Sequence, residues 1–223
     1  MRVVIALTKQ EKEPARWPFR AAYYALLLAG LAAFGYSGYR LLDAYRYQTL
    51  ETAKFEAVAA SPAPEASPVP SRVETRATAS GSVIGEIEVP RVGLKAIIVQ
   101  GDSIRLLNRA VGHLPASALP GEEGNVALAG HRDGLFRPLR DVLPGDAIKL
   151  RTAEGEFQYE VLWTAVVPPT TVRVLQPTSE HTLTLLTCFP FYYVGAAPGR
   201  FVVRAREVNQ QTAESEDVTS LSR

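Results

Sequence analysis

The sequence predicts a mainly β fold carried behind an N-terminal transmembrane helix, and three patterns predict it. From Ala21 to Tyr39 no charged residue occurs. Ser61 to Ser80, SPAPEASPVPSRVETRATAS, is too rich in Pro, Ala and Ser to bury an apolar face. Between Ser82 and Val208 apolar and polar residues alternate in short runs punctuated by Gly and Pro, the signature of strands joined by turns.

Residues 1–20 are polar and basic, with Arg2, Lys9, Lys12, Arg16 and Arg20 outnumbering Glu11 and Glu13. The uncharged run 21–39 has about 19 residues, close to the ~20 a spanning helix needs. Its mass comes from Leu26, Leu27, Leu28, Leu31 and Phe34. Tyr23 and Tyr24 at one end and Tyr36 and Tyr39 at the other read as interfacial aromatic belts. A cleaved leader has a shorter apolar stretch and a core helix carries a polar stripe, so the run reads as an uncleaved signal anchor. The basic excess ahead of it places the N-terminus in the cytoplasm and everything after Arg40 outside. Residues 40–81 form a stalk of helix-forming composition, up to Ala59, and then a mobile tether that supplies reach. Residues 209–223 are a polar tail without a second span.

Residues 82–208 form the folded domain. Glu86, Ile87, Glu88 and Val89 alternate. Phe157, Tyr159, Val161 and Trp163 alternate with Gln158, Glu160 and Thr164. Ile97–Val99, Asn125–Ala129, Ala147–Arg151, Leu183–Thr187 and Phe201–Arg206 supply further strands, most of them expected to be antiparallel. Pro90, Gly93, Gly101, Pro144-Gly145 and Gly155 mark the turns. Roughly seven or eight short strands in such a length make a closed barrel or a sandwich. Ser103–Asn108 and Leu135–Asp141 read as single helical turns.

A chain of 223 residues with net charge +1 gives no sign of a nucleic-acid partner. One cysteine excludes a disulfide framework and a cysteine-rich metal site. That cysteine, Cys188, closes the apolar run Thr182–Thr187 and is followed at once by Phe189, Pro190 and a Gly/Pro loop, with Arg200 opening the next strand. A thiol at a strand's mouth with a cation nearby suits a reactive cysteine better than a buried one. In NVALAGHRDGLFRPL, Asn125 to Leu139, another apolar run ends in Ala129 and Gly130 and presents His131. Cysteine and histidine at neighbouring strand mouths are the minimum for thiol nucleophilic catalysis: the thiolate attacks and the imidazolium protonates the leaving amine. A thiol and an imidazole of ordinary acidity coexist in that charge state in only about 1% of molecules at neutral pH. Either the fold shifts them or turnover runs slowly through a minority form.

Thr184-Leu185-Leu186-Thr187-Cys188 matches the TLxTC signature of sortases. Ala129-Gly130-His131-Arg132 resembles their histidine segment, and Ala197-Pro198-Gly199-Arg200-Phe201 their arginine segment. The resemblance covers Ser82 to Val208 in the right order. The strings GHRDGLFRPLRDVLPGD and TCFPFYYVGAAPGRFVVRA are most similar to class D, and no Asp-Pro-aromatic lid of the pilin-building class C enzymes occurs in Ser61–Ser80. The resemblance implies an eight-stranded barrel and a membrane-anchored cysteine transpeptidase. It would act on secreted proteins with a C-terminal LPxTG- or LPxTA-like sorting signal, through a thioacyl enzyme resolved by a peptidoglycan or protein amine. It implies Cys188 as nucleophile, His131 as acid and then base, and Arg200 as the donor that holds substrate and oxyanion. It also implies a substrate groove bordered by Val166–Ser179 and stiffened by Pro168, Pro169 and Pro177, with Thr187, Leu186, His113, Pro168 and Val172 as substrate contacts.

The competing readings are a thiol hydrolase resolved by water alone and a non-catalytic surface-binding barrel with Cys188 in its core. His113 lies in AVGHLPASALPGEEGN, read as a loop between strands, where a groove-wall hydrogen bond competes with substrate contact. His181 follows Ser179-Glu180 in a turn and reads as surface. Glu122 and Glu123 find no carboxylate in Val166–Ser179 to complete a calcium site, so no metal and no cofactor is expected. Asp133 could orient His131 but is expected instead to pair on the surface with Arg132 or Arg137, and Trp163 to be a core or rim aromatic.

Overall fold

A computed structural model describes residues 17–59, 79–193 and 195–208. The N-terminal segment before residue 17, most of the tether and the C-terminal tail lie outside the described residues. Helix α1 runs Trp17–Ala59, and its packing divides the chain into two units, the second beginning at Asp43. In the first, Leu26, Leu28, Leu31 and Phe34 stand exposed, on a helix long and apolar enough to cross a membrane. So much bare aliphatic surface suits lipid and not water.

The second unit is a closed barrel of eight strands: β1 Val83–Val89, β2 Leu94–Gln100, β3 Val111–His113, β4 Asn125–Ala129, β5 Ala147–Thr152, β6 Glu156–Val167, β7 Thr182–Phe189 and β8 Gly199–Glu207. They close in the order β1-β2-β3-β4-β7-β8-β6-β5. Most pairs are antiparallel, as the sequence predicts, but β2 with β3 and β4 with β7 are parallel. The helical turns fall at α2 Ile104–Leu107 and Arg137–Asp141, inside the expected ranges.

The alternation read from the sequence fills the interior. Ile87 and Val89, Val126 and Leu128, Ile148 and Leu150, Tyr159 and Val161, Leu183 and Leu185, and Val203 and Ala205 form one buried cluster. Each such aliphatic or aromatic side chain stabilises the fold by about 1.5–3 kcal/mol on leaving water. Two irregularities interrupt the period of two. At Gly85 the pairing of β1 shifts by one residue, and a Cβ there would stand 2.1 Å from the Arg151 carbonyl oxygen. In β6 a bulge between Val161 and Trp163 leaves both Leu162 and Trp163 exposed. Strict alternation would turn Trp163 inward; the inserted residue re-aims it onto the outside, so it is a rim aromatic.

Residues 43–59 of α1 contact the barrel. Tyr47 and Phe55 pack on the outward cluster Ile97, Val99 and Ala110. Gln48 accepts a hydrogen bond from the Ile97 amide at 2.9 Å and donates to the Arg109 carbonyl. The Ile97 amide lies before the stretch of β2 that pairs with β3, so the Gln48 side chain satisfies a backbone donor the ladder does not reach. Arg109 also meets Asp43 at 2.7 Å. The stalk composition thus encodes a helix whose side chains also cover and hydrogen-bond a strand of the barrel. Gln48→Leu keeps the length and removes both hydrogen bonds. It should cost about 1–3 kcal/mol and lower the Tm of the full chain by several degrees in a thermal melt.

Candidate active site

The register of three strands determines which residues share a face. Core residues Leu183 and Leu185 of β7 alternate with Thr184, Leu186 and Cys188, which therefore point outward. Their partners on β8 are Arg204, Val202 and Arg200. On β4, Ala127 pairs with Thr184 and Ala129 with Leu186. Continuing that parallel register by two residues brings His131 alongside Cys188. The outer face of β4-β7-β8 is thus a floor of small and aliphatic side chains, with Cys188 paired to Arg200 at one end and β4 leading to His131 at that same end. Cys188, His131, Arg200, Leu186 and Ala129 are all half-buried, so this end is open.

Backbone chemistry holds the β4 terminus there. The Gly130 amide donates to the Leu186 carbonyl at 3.2 Å, and the Thr187 hydroxyl donates to the Gly130 carbonyl at 2.8 Å. A Cβ on Gly130 would fall 2.7 Å from the buried Phe136 ring, so glycine lets the chain lie flat on that ring just before His131. Arg200 donates from Nη1 to the carbonyls of Gly199 at 3.0 Å and Ala197 at 3.4 Å. Among the described residues, its Nε and Nη2 make no hydrogen bond within the chain.

The β7–β8 loop, which leaves β7 through a cis Phe189–Pro190 bond, is tied to the segment after His131. Arg132 Nη2 donates to the carbonyls of Tyr193 at 2.7 Å and Gly195 at 2.9 Å, and its guanidinium lies 5.8 Å from the Tyr193 ring centroid. Arg140 stacks on Tyr192 and donates to its hydroxyl. Arg132 is therefore engaged by the loop and not by Asp133, which makes no ion pair among the described residues; the expected surface pair is replaced by a tie between two segments of the site. Nothing in the sequence pattern signals that tie except two arginines after the histidine and two tyrosines in the loop.

The remaining residues expected to contact substrate divide. Leu186 lies on the open floor, and Pro168 and Val172 are exposed in the β6–β7 segment, Val172 within a 3-10 turn Val172–Leu175. Thr187 does not join them: the period of two turns it inward, where it is buried and committed to Gly130. His113 does not either. It ends strand β3 rather than lying in a loop, is 1% exposed, and is engaged at both ring nitrogens. Nδ1 lies 2.9 Å from the Gln100 side-chain amide, and Nε2 lies 2.8 Å from the Ala118 carbonyl and 3.1 Å from the Ser117 hydroxyl. A three-residue strand is too short for periodicity to reveal. His181 is on the surface, 3.4 Å from Glu207.

A Sortase domain model matches residues 87–208. The chain belongs to the sortase family. It is 34% identical over 190 residues to Sortase D of Bacillus subtilis (strain 168), a match covering 82% of this chain and 96% of that one. The Clostridium perfringens Sortase D5 transpeptidase superposes with a TM-score of 0.55 at 31% identity, covering 59% of this chain and 82% of that one. The Clostridium perfringens sortase C solved with the C-terminal cell wall sorting motif superposes with a TM-score of 0.55 at 27% identity, covering 70% and 85%. The eight-stranded barrel and the class D resemblance read from the sequence hold, and as a sortase the chain is a cysteine transpeptidase.

Two outcomes follow from the geometry. Thr187→Val strands the buried Gly130 carbonyl. It should cost about 1–3 kcal/mol in a denaturant melt and lower turnover by loosening the chain before His131, while leaving alkylation of Cys188 intact. Burial lowers the pKa of His113, outweighing the Ala118 carbonyl and Glu122, which act the other way. Across the window between the lowered folded value and the ordinary one, the unfolded chain binds more protons. Stability is therefore full above the ordinary histidine range and falls as pH drops through it. Melts of His113→Gln against the parent between pH 5 and pH 8 should show the parent losing more stability on acidification.

Proposed function

We propose that this sortase is a single-pass membrane enzyme that uses Cys188, His131 and Arg200 to move secreted proteins onto a cell-surface amine, recognising a C-terminal LPxTG- or LPxTA-like signal. One observation carries the reading. The β7–β8 register sets Cys188 opposite Arg200, and the β4–β7 register, continued two residues past its end, leads to His131 at the same end of the outward face, which supports this reading.

In the first half-reaction Cys188 Sγ attacks the threonine carbonyl carbon of the signal. The C–N bond to the following Gly or Ala breaks, a thioester forms, and His131 gives its proton to the departing amine. In the second, the nitrogen of an incoming amine attacks the thioester carbonyl and gives its proton to His131. The C–S bond breaks and a new amide forms. Each half-reaction passes through a tetrahedral oxyanion. Arg200 keeps Nη1 on the Ala197 and Gly199 carbonyls and, among the described residues, has Nε and Nη2 to offer, a fork suited to that charge. The floor of Ala129 and Leu186 lets an extended peptide lie close to the sheet, with Pro168 and Val172 as wall contacts.

The exposed leucines of α1 and the basic residues ahead of it support an N-terminus in the cytoplasm and a catalytic domain outside. The acceptor is a peptidoglycan peptide or a protein lysine. Anchoring puts enzyme and membrane-retained substrate on one surface, where a slow catalyst suffices.

The full chain in detergent, mixed with an LPxTG or LPxTA peptide and triglycine, should yield the triglycine-capped product and a thioester mass adduct on Cys188. Cys188→Ala should show neither, and Arg200→Lys should lose roughly 10²–10³-fold in kcat/KM. Undiminished transfer by Cys188→Ala would end the proposal. Hydrolysis that no amine can divert would replace it with a thiol hydrolase.

A further inference from the structure

The end of the floor opposite Cys188 is closed, and what closes it is a half-buried arginine that meets no carboxylate among the described residues. Arg204 follows the core residue Val203 on β8 and faces outward beside Thr184. Burial lowers its pKa, and among the described residues it forms no ion pair. Its donors go to neutral acceptors: Nη1 to Asn125 Oδ1 at 3.0 Å and Thr182 Oγ1 at 3.2 Å, Nη2 to the Val174 carbonyl at 2.8 Å. The Trp163 ring, turned outward by the bulge in β6, covers the guanidinium at 5.8 Å. Asn125, on the first residue of β4, converges on the same point. Its Nδ2 donates to the carbonyls of Val174 at 3.1 Å and Gln176 at 3.2 Å, while Oδ1 accepts from Thr184 at 2.6 Å. Asn125 and Thr184 are 2% and 0% exposed, so the bond between them forms out of water.

Val174 and Gln176 belong to the β6–β7 segment, the one that carries Pro168 and Val172. A half-buried cation facing only neutral acceptors has no partner charge to offset its lost hydration, but a fork of fixed donors is well suited to hold one backbone carbonyl in place. We propose that Arg204 and Asn125 are positioning residues. They latch the Val174–Gln176 backbone onto the floor and so fix how far the wall at Pro168 and Val172 stands from the strand ending in Cys188. The inference rests on the peptide-groove reading above, because the distance matters only if a peptide lies in that space. The latch acts on grip and not on the reacting atoms, so it should appear in KM.

The test uses the full chain in detergent and two readouts. In the first, Arg204→Met should raise KM for the sorting-signal peptide roughly tenfold with kcat within about twofold, normalised to alkylatable Cys188, and Arg204→Lys should fall between. Asn125→Ser, which removes both bonds to the segment, carries the same expectation if Arg204→Met does not fold. The second readout needs no substrate. Arg173 is exposed in the segment, and native trypsin should cut after it slowly in the parent and faster in the variants. A KM equal to the parent's, or a parent cut at Arg173 as fast as the variants, would overturn the latch while leaving the transpeptidase standing. A parent inert to every signal peptide but slow at Arg173 would overturn the groove reading alone.

Discussion

The parallel pairing of β4 with β7 is the constraint on which the site depends. Cys188 and Arg200 meet through an antiparallel pair, which a single loop can set. His131 comes from a strand far earlier in the chain, and only a long connection can lay that strand parallel beside β7. Its register is then fixed from both sides. The core demands that Val126 and Leu128 face inward, and a slip of one residue would turn the whole strand over. The hydrogen bond from Thr187 to Gly130 closes the last interval, where the ladder has ended and the chain is about to turn.

This explains which residues of the site could be read from the sequence. Cys188, His131 and Arg200 each sit just beyond or at the start of an apolar run, and a strand's end is visible in the pattern of residues that stop it. The assignment of Thr187 to the groove ignored the parity that placed Cys188 there, since adjacent strand residues face opposite ways. His113 departs from expectation for another reason. Strand β3 has three residues and owes its existence to neighbours on both sides, so no local signal distinguishes it from a loop.

The bulge in β6 is the clearest case of information the linear pattern lacks. Phe157, Tyr159, Val161 and Trp163 keep a strict period in sequence, yet the pairing with β8 shifts between Val161 and Trp163. The reason lies in the partner strand. Arg204 and Val203 both pair after the shift, which lets the guanidinium meet an aromatic face instead of bare solvent. A bulge is a property of two strands, and one strand's sequence cannot announce it. The packing of Tyr47, Gln48 and Phe55 on Ile97 and Val99 is hidden in the same way: in a helix-forming run these residues look like any others until the surface they cover is known.

The two ends of the floor follow opposite rules, and the contrast bears on how a thiol enzyme can be both stable and reactive. Around Arg204 two guanidinium nitrogens are matched by neutral acceptors, and the Trp163 ring lies against the guanidinium. Around Cys188 the side chains are half-buried, and Arg200 is held by one nitrogen with the others unspent among the described residues. A fully satisfied arginine would have nothing to give an oxyanion, and a fully exposed one would have no fixed direction. Both lie on β8, four residues apart in register and facing the same way, so in the proposed mechanism one rigid strand carries the anchored end and the working end together. The precision needed at the sulfur then comes from the barrel core beneath it, and the loops above need supply only a wall.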